Sequence, residues 1–105
     1  MTEQFRKEIE AAIEADDPEE LLSVVIDISL AGEDPVWATD RLLGLADHES
    51  KGVRGNALIG LVHLAERFPQ LDRSQIIERI RLAAEDPEPH VREQAESAME
   101  ELVIG

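Results

Sequence analysis

The sequence predicts an all-α chain, a six-helix α-solenoid of three stacked helix pairs. Apolar residues recur at steps of three and four in six separate segments. Aspartate–proline pairs stand at several of the joints, Asp17-Pro18, Asp34-Pro35 and Asp86-Pro87, where an acid can cap and a proline suits the first helical turn. A repeat adds the third observation. VRGNALIGL at 53–61 laid over VREQAESAM at 91–99 matches valine, arginine and alanine at an offset of 38, and Leu42 and Leu82 lie 40 apart in the preceding segments. The 105 residues fit one domain, with units of approximately 3–31, 34–68 and 72–103.

Helix one is expected from about Glu3 to Ala15, with Thr2 as its cap and Phe5, Ile9, Ala12 and Ile13 on its apolar face. Asp17 and Pro18 restart the chain as helix two, in which Leu21, Leu22, Val25, Ile26, Ile28, Ser29 and Leu30 form a broad apolar surface up to Gly32. The β-branched run VVIDIS lacks strict alternation, so helix is preferred over strand. Asp34 and Pro35 open helix three, whose apolar face takes Val36, Ala38 or Thr39, Leu42, Leu43 and Ala46. Trp37, near its beginning, reads as a packing residue or as a partner contact.

Helix four, within Ser50 to Phe68, is apolar beyond a single stripe: Val53, Ala57, Leu61, Leu64 and Phe68 repeat at helical steps, and Leu58, Ile59, Val62 and Ala65 widen the face. It should therefore have neighbours on more than one side. Gly55 and Gly60 each cost roughly 1 kcal/mol relative to alanine inside a helix, which suggests close approach by another helix or a local kink. Pro69 ends this element. Asp72 or Ser74 caps helix five, with Ile76, Ile77, Ile80, Ala83 and Ala84 inward. Helix six is expected from about Glu88 to Val103, with Val91, Ala95, Ala98, Met99 and Leu102 on one face and Ile104 and Gly105 frayed.

Composition narrows the function classes. No cysteine is present, which excludes disulfides, thiolate metal sites and cysteine nucleophiles. The first residues do not read as a signal peptide, no apolar run approaches the roughly 20 residues of a membrane span, and a cytoplasmic location is expected. The formal charge of -14 is uneven: -10 over residues 1–40, +2 over 41–81 and -6 over 82–105. Such a surface repels nucleic acid and anionic membranes and steers basic proteins, although solubility alone also selects for acidity.

Chemistry finds little support. His48 and His90 fall at inter-helix turns, where exposed capping roles are expected, and His63 in LVHLAE makes no HExxH arrangement and reads as a boundary packing residue. Acidic pairs are too frequent to mark a catalytic dyad, and no serine stands in a triad-like context. Neither an enzyme nor a cofactor or metal is expected. Arg41, Lys51, Arg54, Arg67, Arg73, Arg79 and Arg81 spread over three helices between acidic flanks, which favours internal ladders and partner salt bridges over a nucleic-acid patch.

Asp86, Pro87, Val91, Arg92 and Ala95, with Val53, Arg54 and Ala57, give the chain its resemblance to short bacterial HEAT-repeat proteins. The resemblance spans roughly residues 17–103 and implies a curved stack that binds another macromolecule, most often a protein. It also implies a polar ladder between repeats, with Asp86 and Arg92 as its members and Arg54 as a second candidate. Ser23 stands where the first unit should carry arginine.

The leading expectation is a non-enzymatic module that masks a basic protein partner. Candidate contacts are Asp16, Asp17, Glu19, Glu20, Glu33, Asp34, Trp37 and Asp40 in the acidic N-terminal half, with Glu93, Glu96 and Glu100 at the other end. Small size, helical repeats and acidity resemble bacterial immunity proteins that neutralise toxin domains. The competing readings are an adaptor, a subunit or a self-assembling repeat module, and more remotely a small enzyme or ligand-binding protein.

Overall fold

The computed structural model describes residues 3–102, which form α1 (Glu3–Ala15), α2 (Pro18–Ala31), α3 (Pro35–Leu45), α4 (Lys51–Arg67), α5 (Ser74–Ala83) and α6 (Pro89–Glu101), with no strand among them. The expected Thr2 cap and the end of helix six from Val103 onward lie outside the described residues. Local signals account for most boundaries. Asp17 accepts from the Glu19 N–H at 3.1 Å with Pro18 at the first helical position, and Asp34 accepts from Val36 N–H at 3.1 Å and Trp37 N–H at 3.2 Å ahead of Pro35. Ser50 caps α4 through the Val53 N–H. Asp16 adopts a φ of 55° just after α1, a left-handed residue that aspartate tolerates better than most.

Two starts differ from the sequence expectation. Ser74 is already inside α5, and Asp72 accepts its N–H at 2.9 Å from two residues upstream. At α6 the Asp86-Pro87 pair belongs to the turn and Pro89 takes the first helical position, because this second proline holds the preceding Glu88 extended, at φ -91° and ψ 123°.

Helix α4 lies in a row between α2 and α6; α3 packs on both α4 and α2, α1 on α2, and α5 on α6 and α3. The extents of 38 × 30 × 16 Å make the short direction two helix layers at the usual spacing of roughly 8–10 Å. Leu21, Val25, Ile28, Leu42, Val53, Leu58, Leu61, Leu64, Ile76, Ile80 and Val91 are sealed from solvent in one core. Burial of each such side chain stabilises the fold by about 1.5–3 kcal/mol.

Both glycines of α4 sit at close approaches. A Cβ at Gly55 would lie 2.9 Å from His90 Nε2 of α6, and one at Gly60 would lie 3.2 Å from Val25 Cγ1 of α2 and 3.4 Å from Leu42 Cδ2 of α3. The repeat also has a physical register. At the offset of 38, Ala38 and Ile76, Leu42 and Ile80, Val53 and Val91, and Ala57 and Ala95 are all buried. Leu82 is 58% exposed where Leu42 is fully buried, so the 40-residue match was a neighbour of the true equivalence. Val36, Ile26 and Leu30, expected on inward faces, are also exposed.

Candidate functional site

The turns α1–α2, α3–α4 and α5–α6 line up along one edge, tied together by polar contacts. His48 Nδ1 accepts the Ser50 N–H at 2.9 Å, which leaves the proton on Nε2, where His48 meets Asp16 Oδ1 at 2.5 Å. The equivalent position 38 residues later is Asp86, which accepts the Glu88 N–H in the same way. Arg54, on the first turn of α4, reaches Asp86 with two bonds of 3.0 and 3.1 Å and the carbonyls of His48 and Glu49 at 2.9 and 2.8 Å. The side chains of this pair are only 14% and 10% exposed. Burial pushes the Asp86 carboxyl up, but the bonds from Arg54 and the Glu88 N–H outweigh it and hold the pKa below the ordinary value.

The expected ladder partner Arg92 bonds instead to the Asp86 carbonyl at 2.7 Å, so the carboxylate pair is formed by Arg54. Arg79 closes the same edge onto Asp47 at 2.8 Å and the Ala46 carbonyl at 2.7 Å, and Lys51 approaches Glu88 at 3.8 Å.

The candidate contact residues do not converge on one patch. Asp16, Asp17, Glu19 and Glu20 stand together at the α1–α2 turn and the start of α2, all exposed. Glu33 and Asp34 belong to the α2–α3 connection at the other end of α2, where Asp34 bonds Arg6 at 2.9 Å. Its carboxyl is held below the usual range, first by the Trp37 N–H and further by Arg6 and the Val36 N–H. Asp40 is exposed on α3 beside Arg41, which also pairs with Glu10 at 2.6 Å. Glu93, Glu96 and Glu100 are exposed on α6, with α4 between them and the acids of α2.

Trp37 is corrected as a partner contact. It is 8% exposed, edge-on to Phe5 with centroids 6.3 Å apart and covered by the Arg6 guanidinium at 5.1 Å, so it joins α1 to α3. The histidines are also placed differently: the His48 side chain is mostly buried, His90 is half-buried against Gly55, and His63 is exposed rather than packed at a boundary. Among the described residues no three metal-ligating side chains converge, and no helix is long and apolar enough to cross a membrane.

One surface feature escaped the sequence reading. On the side of the α2–α4–α6 row facing away from α1, α3 and α5 lies an open groove of about 460 Å³. Val25 and Gly60 line it, together with Ile26, Leu30, Asn56, Ile59, His63 and Gln94. Ile26 is 51% and Leu30 61% exposed. The signal for it was an α2 more apolar than its three packed neighbours require.

No protein-family model matches the chain, and no curated protein matches it. Its fold is similar to a chain in the crystal structure of a CDI (contact-dependent inhibition) complex from Cupriavidus taiwanensis, with a TM-score of 0.82 and 26% sequence identity over 93% of this chain and 87% of that chain.

Proposed function

We propose that this chain is an immunity-type protein that binds and masks a toxin domain of a contact-dependent inhibition system. The observation that carries the reading is the similarity to a chain of the Cupriavidus taiwanensis complex, which extends over nearly the full length of both chains. The acidity assigns the role within such a pair. A net charge of -14 suits the half that neutralises a basic domain, and it opposes a nuclease-like role on phosphate or a seat on anionic lipid. The reading includes a HEAT-like stack of three helix pairs acting in the cytoplasm, with no catalysis and no cofactor of its own.

Its mechanism is electrostatic encounter followed by occlusion. Complementary charge raises the association rate toward about 10⁸–10⁹ per molar per second at low salt, and this advantage falls as salt shortens the range of the field. Packing at the contact then sets the residence time.

The test is affinity capture from native cells at low and high salt, followed by growth assays with the captured partner. The reading expects one basic partner in a one-to-one, salt-sensitive complex, growth arrest when the partner is produced alone, and growth when this chain accompanies it. Growth arrest by this chain alone would assign it the toxic half. A partner that never arrests growth would refute the immunity reading and favour an adaptor.

A further inference from the structure

The uncovered face of the α2–α4–α6 row has the chemistry of a docking seat. Ile26 and Leu30 are a helical turn apart and more than half exposed, beside a groove floored by Val25 and Gly60. Above that floor stand three polar side chains, Asn56, His63 and Gln94, none of which has a hydrogen-bond partner among the described residues. They can donate to and accept from a polypeptide lying across the groove.

Acids outnumber bases around the rim. Residues seven apart share a helix face, which places Glu19 in line with Ile26, Glu66 in line with Ile59 and Glu101 in line with Gln94. All three carboxylates are exposed and form no ion pair among the described residues. The bases of the same helices make contacts of their own. Lys51 approaches Glu88, Arg54 is held by Asp86, Arg67 donates to the Ser29 and Gly32 carbonyls at 2.8 and 3.0 Å, and Arg92 donates to the Asp86 carbonyl. A bond to a neutral carbonyl leaves a guanidinium charged, so Arg67, seven residues from Gly60 and bonded to the groove-lining Ser29, adds one positive charge to a rim on which the three carboxylates outnumber it.

We infer that this face, rather than the acidic turn edge, seats the protein partner through a segment with a large apolar side chain flanked by lysine or arginine. The apolar side chain enters between Ile26, Leu30 and Ile59, and the flanking cations meet Glu19, Glu66 and Glu101. The inference rests on the reading of the chain as a masking module and specifies where and by what chemistry it masks. A second copy of the chain fits poorly, because a two-fold contact would oppose the same three carboxylates on each side, more than the bases near this face could pair. The broad dimensions of 38 × 30 Å accommodate the roughly 800 Å² per partner of a standard interface.

The test uses the full chain and a synthetic helical peptide of leucine and lysine, followed by NMR amide shifts and titration. Two control peptides replace the lysines by glutamate or the leucines by serine. The leucine–lysine peptide is expected to shift Ile26, Leu30, Ile59, His63 and Gln94, with binding at least tenfold weaker for either control. The double variant I26S/L30S, whose exposed positions leave the core intact, should lose at least tenfold in affinity with an unchanged melting temperature. The double variant E66K/E101K, at the ends of α4 and α6 away from the turn edge, should lose as much and flatten the salt dependence, whereas E49K/E85K on the turn edge should bind within twofold of the parent. Shifts confined to the turn edge, an unaffected I26S/L30S, self-association that covers this face, or no peptide binding would each overturn the inference. Growth protection against the captured partner separates the two claims. Protection by the parent and equally by I26S/L30S would sink the groove and keep the immunity reading, whereas peptide binding in the groove without any protection would do the reverse.

Discussion

Replacing Arg54 by methionine removes the one side chain that ties the α3–α4 turn to the α5–α6 turn. Four bonds are lost at once: two to the Asp86 carboxylate and one each to the carbonyls of His48 and Glu49. Removing one partner of a buried ion pair costs about 3–5 kcal/mol in a deep interior. Here the pair lies at an edge, 14% and 10% exposed, and Asp86 keeps its bond from the Glu88 N–H, so a loss of about 2–3 kcal/mol is expected. For a chain of this size that corresponds to a fall in Tm of roughly 8–20 °C. Urea titration supplies the assay, with the slope expected to stay constant and the midpoint to fall. Asp86→Asn keeps an acceptor for Glu88 and should cost less, and the double variant should cost clearly less than the two single losses added together. A loss below about 0.5 kcal/mol for R54M, or strict additivity in the double variant, would refute the view that this pair holds the units together.

Acid should weaken the fold through the same carboxylates. Asp34, Asp72 and Asp86 all have folded-state pKa values below the unfolded 3.8, so their stabilisation is complete above that value and is lost as the pH falls below it; urea midpoints from pH 6 down to 2.5 read this. In R54M the drop with acid should be shallower, since Asp86 no longer gains from the pair. Trp37→Ala should cost about 3–5 kcal/mol as a buried aromatic truncation, while Trp37→Phe should cost far less because the indole N–H has no acceptor among the described residues; thermal melts distinguish them. Gly60→Leu should be strongly destabilising, since even a Cβ there meets Val25 at 3.2 Å, whereas Gly55→Ala should fall within about 1 kcal/mol of the parent because the flexible ends of His90 and Gln94 can turn aside. His48→Ala loses the bonds to Asp16 and Ser50 and should cost about 1–2 kcal/mol in a urea titration.

The helices were legible because their signals are local. Asp17-Pro18 and Asp34-Pro35 each combine a capping carboxylate with a residue that accepts the first turn, and the structure uses both that way. Asp86-Pro87 carries the same letters, and Asp86 accepts the N–H two residues on as Asp17 does, but the further proline at 89 moves the helix start to just past the expected Glu88. The centrality of α4 followed from its apolar width and two glycines, whose reason is the close passage of α2, α3 and α6. The candidate site was less visible. Helical periodicity marks Ile26 and Leu30 as apolar but cannot say that Leu21, Val25 and Ile28 already fill the available core, and only packing leaves the former two facing out. Acidic positions were all visible, yet charge has no direction in a sequence. The separation of Glu33 and Asp34 from Asp16 and Asp17 by the length of α2 is a property of the fold.

A slab two helices thick brings its uncovered α2–α4–α6 face within one helix diameter of its core. On α2, Leu21 and Ile28 are inward while Ile26 and Leu30 are outward. On α4, Leu58 and Leu61 are inward and Asn56, Ile59 and His63 line the groove. Helical phase thus sorts neighbouring letters into two independent alphabets, one read by the interior and one by whatever arrives from outside. Positions 26, 30, 56, 59, 63 and 94 can therefore change chemistry while the intervening residues keep the architecture unaltered.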